Sequence, residues 1–160
     1  MKKIAILYSE YNPVIDAIKY QLKNTEVVCL NAPENNMEKY DMVVTVNYNS
    51  EYFGKALKCH HSLLPAFDCD EPVKEALLNG VKVTGITVLE TNTKKIIAQY
   101  PIFIRDDAHY DEIKQEFNYL EQTIYPIVVE KVLNNEQFNI KSILNGDCSG
   151  NCGGCHKCNH

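Results

Sequence analysis

The run His60-His61-Ser62-Leu63-Leu64-Pro65-Ala66-Phe67 gathers two imidazoles, a hydroxyl and a proline into one short segment. Such a mixture suits a loop that presents polar groups better than it suits a core strand. Imidazoles at His60 and His61 titrate near neutrality, donate or accept protons and can polarise a carbonyl, so the chemistry they suggest is proton transfer at an acyl group. The competing reading is structural: a hydrogen-bonded histidine beside a proline turn.

A second concentration of chemistry closes the chain, where residues 148–160 read CSGNCGGCHKCNH. Four thiols spaced C-x3-C-x2-C-x2-C are ligands for a soft metal, and Cys148, Cys152, Cys155 and Cys158 are the candidates. Zinc asks for four tetrahedral ligands, and compact C-x2-C spacing also serves iron–sulfur clusters. The fourth ligand is open between Cys158, His156, His160 and a thiol from the body such as Cys59 or Cys69. A redox-active or disordered tail without metal is the alternative.

These residues must be positioned by something, and the periodicity before and after them supplies it. Lys3–Tyr8 is a short apolar run, then Ser9-Glu10-Tyr11-Asn12-Pro13 leads into Val14, Ala17, Ile18 and Leu22 at helical spacing, which reads strand, loop, helix. Asn12 suits the N-cap and Pro13 the first helical position. That loop has no glycine, so it lacks the close backbone approach a phosphate usually needs. Residues 26–30 and 41–46 are two more strands, the second a continuous apolar run of the kind buried in a parallel sheet. Residues 51–57 are expected to form about two turns of helix. After Phe67 an acidic segment, Asp68 to Pro72, caps a helix with Val73, Ala76 and Leu77 that stops at Gly80. Residues 81–90 and 95–104 form an antiparallel hairpin with Asn92 in its turn. Asp106 and Asp107 open the longest helix, with Ile113, Phe117, Leu120, Ile124, Val128 and Val132 as its apolar stripe and Pro126 as a kink or break. Alternating strands and helices predict an α/β fold with a Rossmann-like, mostly parallel sheet flanked by helices and the histidine loop at a strand's carboxyl end. The expected organisation is one domain over 1–135, with a linker and Cys-rich tail over 136–160.

At 160 residues and 45% apolar composition, the chain can bury a core. Its net charge of −5, with no basic run, gives no footprint for nucleic acid. No segment reaches the roughly 20 apolar residues of a membrane span, and the amino-terminal apolar run is too short for a signal peptide. A cytoplasmic location is the expectation.

The central run and the motifs after it resemble the folate-dependent formyltransferase family. Members carry N-x-H-P-S-L-L-P-x-x; Lys58-Cys59-His60-His61-Ser62-Leu63-Leu64-Pro65-Ala66-Phe67 fills the same positions. The family continues with A-L-x-x-G, G-x-T-V, I-x-Q and L-Y-P. Here these read Ala76-Leu77-Leu78-Asn79-Gly80, Gly85-Ile86-Thr87-Val88, Ile97-Ala98-Gln99 and Ile124-Tyr125-Pro126. The resemblance spans residues 41–133 and implies a formyltransferase-like fold, 10-formyltetrahydrofolate as donor and a small-molecule amine as acceptor. It also implies catalytic roles for an Asn and a His that hold the formyl oxygen, and for an Asp that tunes the His and helps move the proton.

The chain departs from that pattern at several positions. His60 falls on the family His, Lys58 on the Asn, and Asn92 nearest the Asp in a hairpin loop shortened by about four residues. A lysine can donate to an oxyanion, but Asn92 cannot act as a base. His61 stands where the family has Pro and, with Ser62, is the substrate-contact candidate. The glycine-rich phosphate loop is replaced by Ser9-Glu10-Tyr11-Asn12, and the segment that would meet the pteridine is shortened to about 47–57. This leaves two readings. One is an enzyme transferring a formyl group to an amine through His60, Lys58 and Asn92. The other is a formyltransferase-derived, non-catalytic protein whose tail holds iron–sulfur or zinc.

Overall fold

The apolar run at 42–46 becomes the middle of a six-stranded sheet, in a computed structural model that describes residues 1–136. The elements in chain order are β1 (Lys2–Leu7), α1 (Val14–Gln21), β2 (Thr25–Leu30), a single 3-10 turn (Met37–Lys39), β3 (Met42–Thr45) and β4 (Leu57–His60). They continue with α2 (Pro72–Leu78), β5 (Val83–Glu90), β6 (Ile96–Phe103) and α3 (Tyr110–Leu133). The sheet order is β2-β1-β3-β4-β5-β6. β2, β1, β3 and β4 run parallel, while β5 is antiparallel to β4 and β6 to β5. The expected α/β, Rossmann-like sheet is therefore present, with its antiparallel hairpin at one edge.

Side chains alternate across a strand, so each strand assigns its odd and even residues to opposite faces. Ile4, Ile6, Val44, Leu57 and Val88 share one face with Ile15, Ile18 and Leu22 of α1 and Tyr125, Val128, Val129 and Leu133 of α3. On that same face Val73 of α2 and Ile113 and Phe117 of α3 close over Ile86 and Ile102. Burying each such side chain is worth about 1.5–3 kcal/mol. Among the described residues all three α-helices thus lie on one face. The other face, presenting Ala5, Leu7 and Val43, is covered by Tyr40, Tyr48, Tyr52 and Ala56 from irregular segments.

That asymmetry corrects one expectation: residues 51–56 hold no helix. The connection from Thr45 to Leu57 must return along the strand to restart a parallel neighbour, and so short a crossover leaves no room for two helical turns and their links. Tyr52 instead folds over Gly54, where an added Cβ would lie 2.4 Å from the tyrosine oxygen.

Other boundaries move for local reasons. α1 begins after Pro13, one residue later than expected, and the Asn12 side chain still caps it by accepting from Val14 N–H at 2.9 Å. α3 opens at Tyr110, capped by His109 with Glu112, rather than at the two aspartates. It runs undivided through Pro126 to Leu133. The left-handed residue of the hairpin turn is Lys94 at φ 58°, not Asn92. Leu120, Ile124 and Val132 are only half-buried, because Glu121 and Tyr125 take the inward positions beside them.

Candidate active site

Lys58 and His60 sit two residues apart on β4, so both project from the face without α-helices. His60 is the last residue of the strand, at its carboxyl end, where open α/β sheets bind their ligands. Its Nε2 lies 3.1 Å from the Phe67 carbonyl oxygen. A carbonyl only accepts, so Nε2 carries the proton and a neutral His60 keeps the lone pair on Nδ1. Burial pushes the His60 pKa below that of an ordinary imidazole; the Phe67 hydrogen bond and the Asp68 carboxylate oppose this, and the charges of Lys58 and His61 add to it.

The loop after His60 is held from the hairpin by the buried Thr87 hydroxyl and the Gln99 amide. Thr87 Oγ1 donates to the Ser62 carbonyl at 2.6 Å and accepts from Leu64 N–H at 3.0 Å and Gln99 Nε2 at 3.1 Å. Gln99 Nε2 also donates to the Leu64 carbonyl at 2.9 Å. Ser62 is fully buried and spends its hydroxyl on the Ala66 carbonyl at 2.6 Å, which makes it a brace of the loop. Gly85 has no room for a side chain here, since a Cβ would lie 2.1 Å from the Tyr100 carbonyl and 2.8 Å from Leu63. The loop closes at Phe67, whose φ of 53° turns its carbonyl to accept from both His60 and Cys69 N–H.

Asn92 is not brought to this pair. Leu57 faces Glu90 and His60 faces Thr87, so the Thr91–Lys94 turn lies beyond the opposite end of β4. The separation from His60 is on the order of 10 Å along the strand. Among the described residues, the carboxylate whose charge acts on His60 is Asp68, in the exposed segment after the loop.

His61 points the other way. Its Nε2 is 2.7 Å from Glu121 Oε2, and its ring centroid lies 5.2 Å from that of Phe117, both on α3. Tyr125, one helical turn after Glu121, donates its buried hydroxyl to the carbonyls of Leu57 at 2.8 Å and Thr45 at 3.1 Å. It thereby ties β3 to β4 where their register holds only two residue pairs. Glu121 was not named by sequence reasoning, and Tyr125 and Thr87 entered it only as letters of the family motifs, without a role. The i, i+4 spacing of Phe117, Glu121 and Tyr125 was the signal that places a carboxylate in an apolar stripe. The candidate metal ligands Cys148, Cys152, Cys155 and Cys158, with His156 and His160, lie outside the described residues. Cys69 is exposed and Cys59 half-buried. No helix among the described residues is long and apolar enough to cross a membrane.

The fold is that of solved α/β formyltransferase structures. It superimposes with a TM-score of 0.69 on phosphoribosylglycinamide formyltransferase from Bacillus halodurans, at 24% identity, covering 86% of this chain and all of that one. A formyltetrahydrofolate deformylase from Pseudomonas syringae pv. tomato is similar with a TM-score of 0.67 at 16% identity, over 84% of this chain and 62% of that one. The sequence makes the assignment narrower: the family profile described as "Formyl transferase" matches residues 17–129, and the chain belongs to that family. Among relatives, it is 41% identical over 86 residues to phosphoribosylglycinamide formyltransferase of Bacillus subtilis, a match covering 51% of this chain and 44% of that protein. The chain spans less than half the length of the curated relatives it matches.

Proposed function

We propose that this chain transfers a formyl group from a 10-formyltetrahydrofolate to the amine of a small molecule. The observation that carries the reading is the placing of His60 and Lys58 together on the face without α-helices, at the end of a strand whose following loop is locked by Thr87. In this mechanism the amine nitrogen attacks the formyl carbon, and the Lys58 ammonium stabilises the oxyanion that forms; such a donor is typically worth about 10²–10³ in rate. His60 Nδ1 accepts the proton lost by the amine and returns it to the folate nitrogen as that carbon–nitrogen bond breaks. Asp68 takes the part of the family carboxylate through its charge on His60, because the hairpin turn with Asn92 lies at the other end of the strand.

One observation favours a second reading. The His60 hydrogen-bond partner is the Phe67 carbonyl rather than a carboxylate, so the orienting acid of the family constellation is missing from that contact. On this reading the chain no longer transfers formyl groups and binds iron–sulfur or zinc through Cys148, Cys152, Cys155 and Cys158.

A single experiment separates the two. Purified protein is incubated with 10-formyltetrahydrofolate and a panel of small amines, and both formylated product and formate are measured. The first reading expects turnover that His60→Asn lowers by about 10²–10⁴, with a smaller loss in His61→Asn. Equal turnover in wild type and His60→Asn would remove His60 from the mechanism. Folded wild-type protein that consumes no donor, yet carries metal lost on replacing the tail thiols, establishes the second reading.

A further inference from the structure

We infer that Cys59, His61 and Glu121 form a second site, on the face of the sheet opposite to Lys58 and His60, that takes a borderline-soft divalent cation of the zinc type. The inference does not depend on formyl transfer. Cys59 and His61 are two residues apart and lie on the same side of β4, turned towards α3. Glu121 comes from α3, with Phe117 one turn before it and Tyr125 one turn after. One ligand atom from each of the three lies within 4.8 Å of the other two.

Metal bonds of about 2.0–2.3 Å to oxygen, nitrogen and sulfur put tetrahedral ligands roughly 3.3–3.7 Å apart. The cluster therefore closes on an ion with small side-chain shifts, the main one being to open the 2.7 Å contact between His61 and Glu121. The chemistry of the set is also right. A thiolate, an imidazole and a carboxylate are ligand types for zinc, and three protein ligands leave one position for water. His61 retains 27% side-chain exposure against 8% for Glu121, so the free position opens towards solvent on the histidine side.

The surroundings place a charged group among apolar ones. Glu121 is 6% exposed in a stripe of Phe117, Tyr125 and Val128, and among the described residues His61 is the hydrogen-bond partner of its carboxylate. The neighbouring Tyr125 hydroxyl is given to the Leu57 and Thr45 carbonyls, so it does not occupy the Glu121 carboxylate. A thiolate and a carboxylate together carry the two negative charges that neutralise a divalent cation.

The test is cobalt(II) titration of the full-length chain with Cys148, Cys152, Cys155 and Cys158 replaced by Ser, so that tail thiols contribute nothing. The expected result is one cobalt per chain with a thiolate-to-cobalt charge-transfer band and the intense visible bands of a four-coordinate ion. Cys59→Ala should remove the charge-transfer band. Glu121→Gln, close to isosteric and able to keep the His61 hydrogen bond, should weaken binding by more than the roughly 10–100-fold that changes outside a coordination shell cost. Far-UV circular dichroism confirms that each variant is folded. If the tail-substituted protein fails to fold, the wild-type chain is titrated instead, and Glu121→Gln should lose one equivalent of bound cobalt. A folded protein that gives no thiolate band, or a stoichiometry and affinity unchanged by Glu121→Gln, overturns the site.

Discussion

Thr87 Oγ1 sits 2.6 Å from the Ser62 carbonyl oxygen, and through that bond a residue in the middle of β5 sets the path of the loop after His60. Both residues are fully buried. The same oxygen also serves Leu64 N–H and Gln99, so the hydroxyl is used as donor once and as acceptor twice. Thr87→Val keeps the shape and removes every one of these bonds. Leaving buried polar groups unpaired costs about 1–3 kcal/mol, and the expected loss of stability is about 2–3 kcal/mol in urea denaturation followed by circular dichroism. Thr87→Ser, which keeps the hydroxyl, should recover at least half of it; a valine variant as stable as wild type would show that the loop is held elsewhere.

Asp68 should tune the pH dependence of any formyl transfer. Its charge raises the His60 pKa against the larger lowering effect of burial. With neutral His60 as the active form, activity falls on the acid side through the His60 pKa, below the ordinary imidazole value of about 6.5. Asp68→Asn removes the raising influence and should displace that limb to lower pH in a profile of kcat/KM. Because Asp68 is exposed, the displacement should shrink as salt is added. An acid limb at the same pH in both proteins would exclude Asp68 from this role.

Stability should carry the same signature. His60 has a folded pKa below its unfolded one, so between the two values the unfolded chain binds more protons and stability rises with pH. The contribution is complete above about 6.5 and is lost as pH falls through that window towards the folded pKa. His60→Asn should flatten this part of the stability curve relative to wild type, with the groups around it, Lys58, His61 and Asp68, left in place. The measurement is the denaturant midpoint at closely spaced pH values, and parallel curves for the two proteins would contradict the assignment.

The tail thiols yield an independent expectation. If Cys148, Cys152, Cys155 and Cys158 hold a metal on their own, replacing Cys152 and Cys155 together by Ser should lower the metal per chain by the tail's share, read by iron and zinc analysis of anaerobically purified protein. Cys69→Ser should then leave metal content unchanged. Loss of metal in Cys69→Ser would instead mean that the body supplies a ligand.

Much of the architecture was legible without coordinates because it is written in local periodicity. The apolar run at 42–46, the turn residues after Glu90 and the 3.6-residue rhythm after Tyr110 each state which face of an element avoids water. The order of short motifs around His60 then identified the family. What local pattern does not contain is which polar groups meet across the core. The spacing of Glu121 with Phe117 and Tyr125 puts a carboxylate in an apolar stripe, but its partner is fixed only when α3 packs across β4 and brings it to His61, sixty residues earlier in the chain. Thr87 reads as an ordinary β-branched strand residue until the loop from β4 folds back over it. The length of the crossover to β4, rather than the helix propensity of residues 51–57, decided that one face of the sheet would carry no α-helix. Alternation along β4 gives two faces to neighbouring residues, but only the tertiary structure decided that the face of Lys58 and His60 would be left without α-helices. The same packing turned the face of Cys59 and His61 towards a buried carboxylate.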